Sequence, residues 1–205
     1  MRRLAIVVAT AAVFTAGSAP AAPVKGRPHV DDSSLVLADG TRILRESTLI
    51  RAPRDAVWRA FATTEGMKSW EAPVAEVDLK VGGHIEASYD PKQHIGAPGN
   101  IRHEILGFLP GEILVFRNTA TPPGFHHADL FGRVTNIMQI EDAGGGMTRL
   151  TLSGVGYGSG KDWDELYDFF HAGNAWLFEA LKAHFEGGPG PTGPAHTAKT
   201  AEKKD

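Results

Sequence analysis

The stretch Trp163-Asp-Glu-Leu-Tyr-Asp-Phe-Phe-His-Ala-Gly-Asn-Ala-Trp-Leu-Phe-Glu-Ala-Leu-Lys-Ala-His-Phe-Glu186 decides the architecture. Leu166, Phe169, Phe170, Gly173, Trp176, Leu177, Ala180, Leu181 and Phe185 recur at i, i+3, i+4 and i+7, a wide apolar stripe along one long helix. Asp162, Asp164, Glu165 and Asp168 gather at its start, where the positive end of the helix dipole favours carboxylates, so no catalytic dyad is assigned to them. A stripe this wide has to be laid on another apolar layer.

The residues upstream supply that layer. Ile85, Ala87 and Tyr89 alternate, as do Ile101, His103 and Ile105, then Leu114 and Phe116, then Val134, Met138 and Ile140, then Leu150 and Leu152. Alternation with one apolar face marks an antiparallel sheet covered on one side. Val74 to Leu79 reads as a further strand that Gly82-Gly83 breaks, and glycines there let a strand bend sharply. Leu35 to Leu37 and Thr41 to Ile50 flank the turn Ala38-Asp39-Gly40. Pro53 ends the strand and opens a helix to Ala62, and Thr63 to Trp70 is a second short helix, weakened by Gly66. Gly154-Val-Gly-Tyr-Gly-Ser-Gly160 reads as a flexible connector rather than a phosphate loop. The order predicts an α+β fold: two short helices after the first strand, then a curved antiparallel sheet of about six or seven strands around a long C-terminal helix.

Composition narrows the function classes. The 205 residues carry 21 basic and 24 acidic side chains for a net charge of −3, which argues against a nucleic-acid partner. With no cysteine there is no disulfide framework, thiolate metal site or cysteine nucleophile. Ser88, Ser153 and Ser159 have no nucleophile elbow around them.

The ends read differently from the middle. Met1-Arg2-Arg3, an apolar run from Leu4 to Phe14 and Ala19-Pro20-Ala21 form a secretory signal peptide over residues 1–21, so the chain is expected to be exported, to the periplasm or beyond. Retention as a membrane anchor is the alternative, and no other run is long enough to span a bilayer. Residues 22–34 read as a flexible linker, 35–186 as one domain and 187–205 as a disordered tail.

Several local motifs, in order, are similar to the START-like helix-grip (SRPBCC) superfamily, in its branch named after the activator of Hsp90 ATPase. They are Ile50-Arg-Ala-Pro-Arg-Asp-Ala-Val-Trp58, Thr63-Thr-Glu-Gly-Met-Lys-Ser-Trp70, Asp78-Leu-Lys-Val-Gly-Gly83, Glu104-Ile-Leu-Gly-Phe-Leu-Pro-Gly-Glu-Ile-Leu-Val-Phe116, Thr148-Arg-Leu-Thr-Leu152 and the Gly173, Trp176, Leu181 spacing. The resemblance implies a cavity between the long helix and the concave sheet that takes apolar or amphipathic small molecules. An exported chain does not meet a cytosolic chaperone, so chaperone stimulation is not carried over.

On that frame Tyr89, His103, Phe116, Asn136 and Met138 should face the cavity from the sheet, and Phe170 and Gly173 from the helix. His103 and Asn136 would fix a ligand's polar head, unless they simply bond each other, backbone or water. Trp70 and Trp163, at element ends, are candidates for the cavity rim, whereas Trp176 is expected in the core. The helices and the loop from Thr119 to Leu130 would gate access. His126, His127 and Asp129 form a weak metal-like cluster that reads better as a solvated loop, and no cofactor is expected. The expected partner is a small hydrophobic molecule. The alternatives are a cyclase-, dehydratase- or hydrolase-like enzyme with His103 as acid or base, and an interaction module whose cavity is filled by its own side chains. The sequence leaves the oligomeric state open.

Overall fold

A computed structural model describes residues 30–188. The signal segment at 1–21, most of the linker and most of the tail lie outside the described residues. The strands are β1 Asp31–Asp32, β2 Leu35–Val36, β3 Arg42–Ile50, β4 Val74–Val77, β5 His84–Ser88, β6 Ile101–Leu109, β7 Ile113–Ala120, β8 Thr135–Gly144 and β9 Met147–Tyr157. The helices are α1 Arg54–Ala62, α2 Thr64–Trp70, α3 Ala128–Phe131 and α4 Lys161–Glu186. One antiparallel sheet runs β1-β3-β9-β8-β7-β6-β5-β4, with β2 also on β3. The strands beyond the six or seven expected are the two-residue β1 and β2, and β1 falls inside the stretch read as linker.

Register shifts at Arg102/His103 and Ile105/Gly107 let β6 coil against β7. An extra residue on one strand bends it and raises its twist, which curls this side of the sheet. Gly82-Gly83 works at a turn, not within a strand: Gly82 N–H donates to Ile105 O and Ile105 N–H to Gly83 O, at 2.8 and 2.9 Å. The flexible connector expected from Gly154 is instead ordered strand as far as Tyr157. Gly154 is required there because a Cβ would lie 2.8 Å from the Tyr157 ring.

The α1–α2 joint explains the glycine that weakened the reading of α2. The Thr63 hydroxyl accepts from Gly66 N–H at 3.0 Å and donates to Arg59 O at 2.8 Å, so one side chain ends α1 and caps α2. A Cβ on Gly66 would sit 1.9 Å from Arg59 O, so a side chain there pushes the helices apart. Gly66→Ala is expected to lower stability by about 1–3 kcal/mol in urea unfolding, although alanine is the better helix former. A stabilised variant would contradict this joint.

Helix α4 lies over β3 and β9 and touches α2 and α3. Two cores hold it. Phe178 and Leu181 share one with Ile50, Val57, Phe61, Ile105 and Leu150. Leu166 shares the other with Leu44, Phe131, Val134 and Tyr157. Polar fasteners add to both. Lys182 Nζ donates to Leu49 O at 2.6 Å, and fully buried Glu46 on β3 accepts from Asn174 Nδ2 at 2.9 Å, with His171 Nδ1 3.0 Å away.

Candidate functional site

Between the two cores α4 stands off the sheet and leaves a cavity of about 560 Å³. The sheet contributes Ile85 and Ala87 from β5, Ile101 and His103 from β6, Leu114 and Phe116 from β7, Asn136 and Met138 from β8, and Leu152 and Gly154 from β9. Phe169, Phe170, Gly173, Trp176 and Leu177 of α4 form the opposite wall. Alternation explains the first group, because residues two apart on a strand share a face. Cross-strand pairing adds that Phe116, Asn136, Gly154 and Leu44 lie in one lateral row. Gly173 and Trp176, three apart, share a helix face.

Of the residues picked from the sequence, Tyr89, His103, Phe116, Asn136, Met138, Phe170 and Gly173 line this one cavity. Trp70 and Trp163 do not. Trp70 is turned away by its hydrogen bond, Nε1 donating to Ala60 O at 3.0 Å, and by an edge contact with Phe61. Trp163 packs over Gly158 and against Tyr157, where the N-terminal core claims it. Trp176, expected in the core, lines the cavity instead; its place one turn after Gly173 was the signal available.

The sequence placed the Thr119 to Leu130 loop at the entrance but missed that it forms a wall. Thr121 to His126, leading from β7 into α3, closes one side. Phe125 anchors that loop, with ring centroids 5.3 Å from Phe169 and 6.0 Å from Phe131. His127 adopts a left-handed φ of 62°, and its Nε2 lies 2.9 Å from Glu165 on α4. His126 and Asp129 do not join it. The groups that do are Asp162 and Glu165, whose ligand-type atoms and that of His127 all lie within 4.8 Å. The metal-like cluster is therefore composed differently from the one the sequence suggested.

Glu71, just past the end of α2, was also missed. It follows Trp70 and precedes Ala72-Pro73, and nothing local marks it as internal. It lines the cavity, and Tyr89 Oη donates to its Oε1 over a long 3.5 Å. Loss of water around the carboxyl drives its pKa from 4.5 up to about 7. The same desolvation, with Glu71 beside it, pushes the Tyr89 phenol up. His103 moves the other way: burial holds its pKa down at about 4, against an ordinary 6.5. Its ring sits edge-on to Phe116 at 5.0 Å. At neutral pH His103 is an uncharged imidazole and a feeble base, which weighs against a general-acid role.

Opposite pH dependences follow from these shifts. Between pH 4.5 and about 7 folded Glu71 holds more proton than unfolded Glu71, so its contribution to stability is present below 4.5 and is lost as pH rises through about 7. Between pH 6.5 and about 4 it is the unfolded chain that holds more proton at His103, so that contribution is lost as pH falls through about 4. In thermal melts across this range Glu71→Gln should gain on the wild type as pH rises, and His103→Phe should gain as pH falls. Parallel pH curves for all three proteins would refute the assigned burial of both groups.

Comparisons with known proteins agree with this geometry. A sequence profile described as Activator of Hsp90 ATPase homolog 1-like protein matches residues 51–186. An Aha1 dimer from Colwellia psychrerythraea is similar in fold, with a TM-score of 0.52 and 15% identity over 70% of this chain and 96% of that one. CalU16 from Micromonospora echinospora gives 0.55 and 17% over 79% and 87% of the two chains. Protein MLL2253 from Mesorhizobium loti gives 0.56 and 19% over 72% and 99%. No curated protein matches.

Proposed function

The chain belongs to the family of Activator of Hsp90 ATPase homolog 1-like proteins, and from that premise we propose that it is an exported carrier or sensor that holds one small, largely apolar molecule between its sheet and α4. The observation that carries this reading is the 560 Å³ cavity bounded mainly by aliphatic and aromatic side chains. Volumes of about 300–1,000 Å³ with a few polar groups are typical of small-molecule sites. Burying roughly 200 Å² of apolar ligand surface contributes about 5 kcal/mol before ordering costs. A hollow of this size also speaks against the interaction module with a filled interior. Among the described residues no helix is long and apolar enough to cross a membrane. Export rests on the signal-like residues 1–21 alone.

The test is uptake of N-phenyl-1-naphthylamine, an uncharged fluorophore that brightens in apolar surroundings, alongside native mass spectrometry of protein purified from its own host. Saturable brightening and a co-purified small molecule are expected. Protein that is always empty and leaves the fluorophore dark would refute the reading.

A further inference from the structure

The cavity described above has a polar pattern that an apolar guest does not match. His103 Nδ1, Asn136 Nδ2 and Trp176 Nε1 are buried with no hydrogen-bond partner among the described residues. All three side chains belong to the cavity wall, His103 and Asn136 on the sheet and Trp176 on the facing helix. An amide and an indole nitrogen are obligatory donors, and a buried donor left unmet is costly enough that such groups almost always have partners. Two obligatory donors in one pocket, one on each wall, with an imidazole nitrogen also unmet on the sheet, point to an acceptor that the protein itself does not provide.

Charge sets a second limit. The lining contains no lysine or arginine; its one carboxyl group is Glu71 and its histidines are His103 and His126. A carboxylate or phosphate guest would enter low-dielectric surroundings with no permanent counter-charge, beside the Glu71 carboxyl. His103, uncharged at neutral pH, offers no cation either.

Resting on the reading of the cavity as a ligand site, we propose that its guest is an uncharged, mostly apolar molecule bearing a carbonyl-type oxygen that accepts hydrogen bonds from Asn136 Nδ2 and Trp176 Nε1 on opposite walls, and that organic anions such as free fatty acids are rejected. Phe116 on the sheet and Phe169 and Phe170 on α4 supply aromatic surface in the same cavity.

The experiment displaces N-phenyl-1-naphthylamine from the full chain with three probes on one skeleton: fluorene, 9-fluorenone and fluorene-9-carboxylate. Fluorenone should bind at least about tenfold more tightly than fluorene, the size of effect one or two well-placed hydrogen bonds give. The carboxylate should bind no better than fluorene. In Asn136→Leu and in Trp176→Phe the fluorenone-to-fluorene ratio should fall several-fold toward one; because both ligands are measured on the same protein, a folding defect cannot imitate that fall. Should neither variant fold, the three wild-type affinities decide alone. Equal binding of fluorene and fluorenone, or tightest binding of the carboxylate, overturns the polar assignment and leaves the apolar carrier standing. A fluorophore that never binds overturns both.

Discussion

Phe178→Ala is expected to lower the unfolding free energy by about 3–5 kcal/mol. Phe178 is fully buried, in one cluster with Ile50, Val57, Leu150 and Leu181. Truncation loses the transfer energy of the ring and leaves a void that the sheet beneath cannot close, because β3, β8 and β9 are fixed to one another by paired backbone bonds. A domain of this size with ordinary stability has about 5–15 kcal/mol in all, so the loss should be visible as a drop in melting temperature of roughly 10 °C. A change within 1–2 °C would mean that the C-terminal half of α4 is not docked as described.

Gly173→Phe should do the reverse, abolishing ligand uptake while leaving the fold intact. Gly173 lies inside α4 and lines the cavity, and its φ is not in the left-handed region. Replacing glycine inside a helix relieves part of its entropic disadvantage, which relative to alanine is about 0.5–1 kcal/mol. A phenylalanine side chain would then occupy much of the hollow. Uptake of N-phenyl-1-naphthylamine is expected to weaken at least about a hundredfold, since the lost site carries most of the apolar burial. Unchanged uptake with an unchanged melting temperature would place the binding site elsewhere.

The architecture was legible because its signals are periodic. The stripe from Leu166 to Phe185 and the alternating residues of β5 to β9 each report one buried face, and Pro53 and the Ala38-Asp39-Gly40 turn mark boundaries without help from tertiary structure. What pairs with what was less legible. Seven wall residues followed from the strand and helix faces, because a shared face is a local property. Glu71 did not, and the Thr119–Leu130 loop was placed at the entrance without its wall residues, since their place depends on how the chain folds back, and no local pattern encodes that. Trp70 and Trp163 misled for a related reason. A tryptophan at the end of an element finds whichever carbonyl or ring lies nearest, and for Trp70 that was Ala60 O ten residues earlier.

The division of α4 between two cores has an evolutionary corollary. Leu166 at one end, and Phe178 and Leu181 at the other, work like the abutments of a bridge, and between them Phe169, Gly173 and Trp176 belong to neither core and line the hollow. Those three can vary without touching either abutment, whereas sheet residues such as Leu114 and Met138 serve core and cavity at once. Descendants of this chain can therefore redecorate those helix positions, acquiring a new occupant without endangering the scaffold.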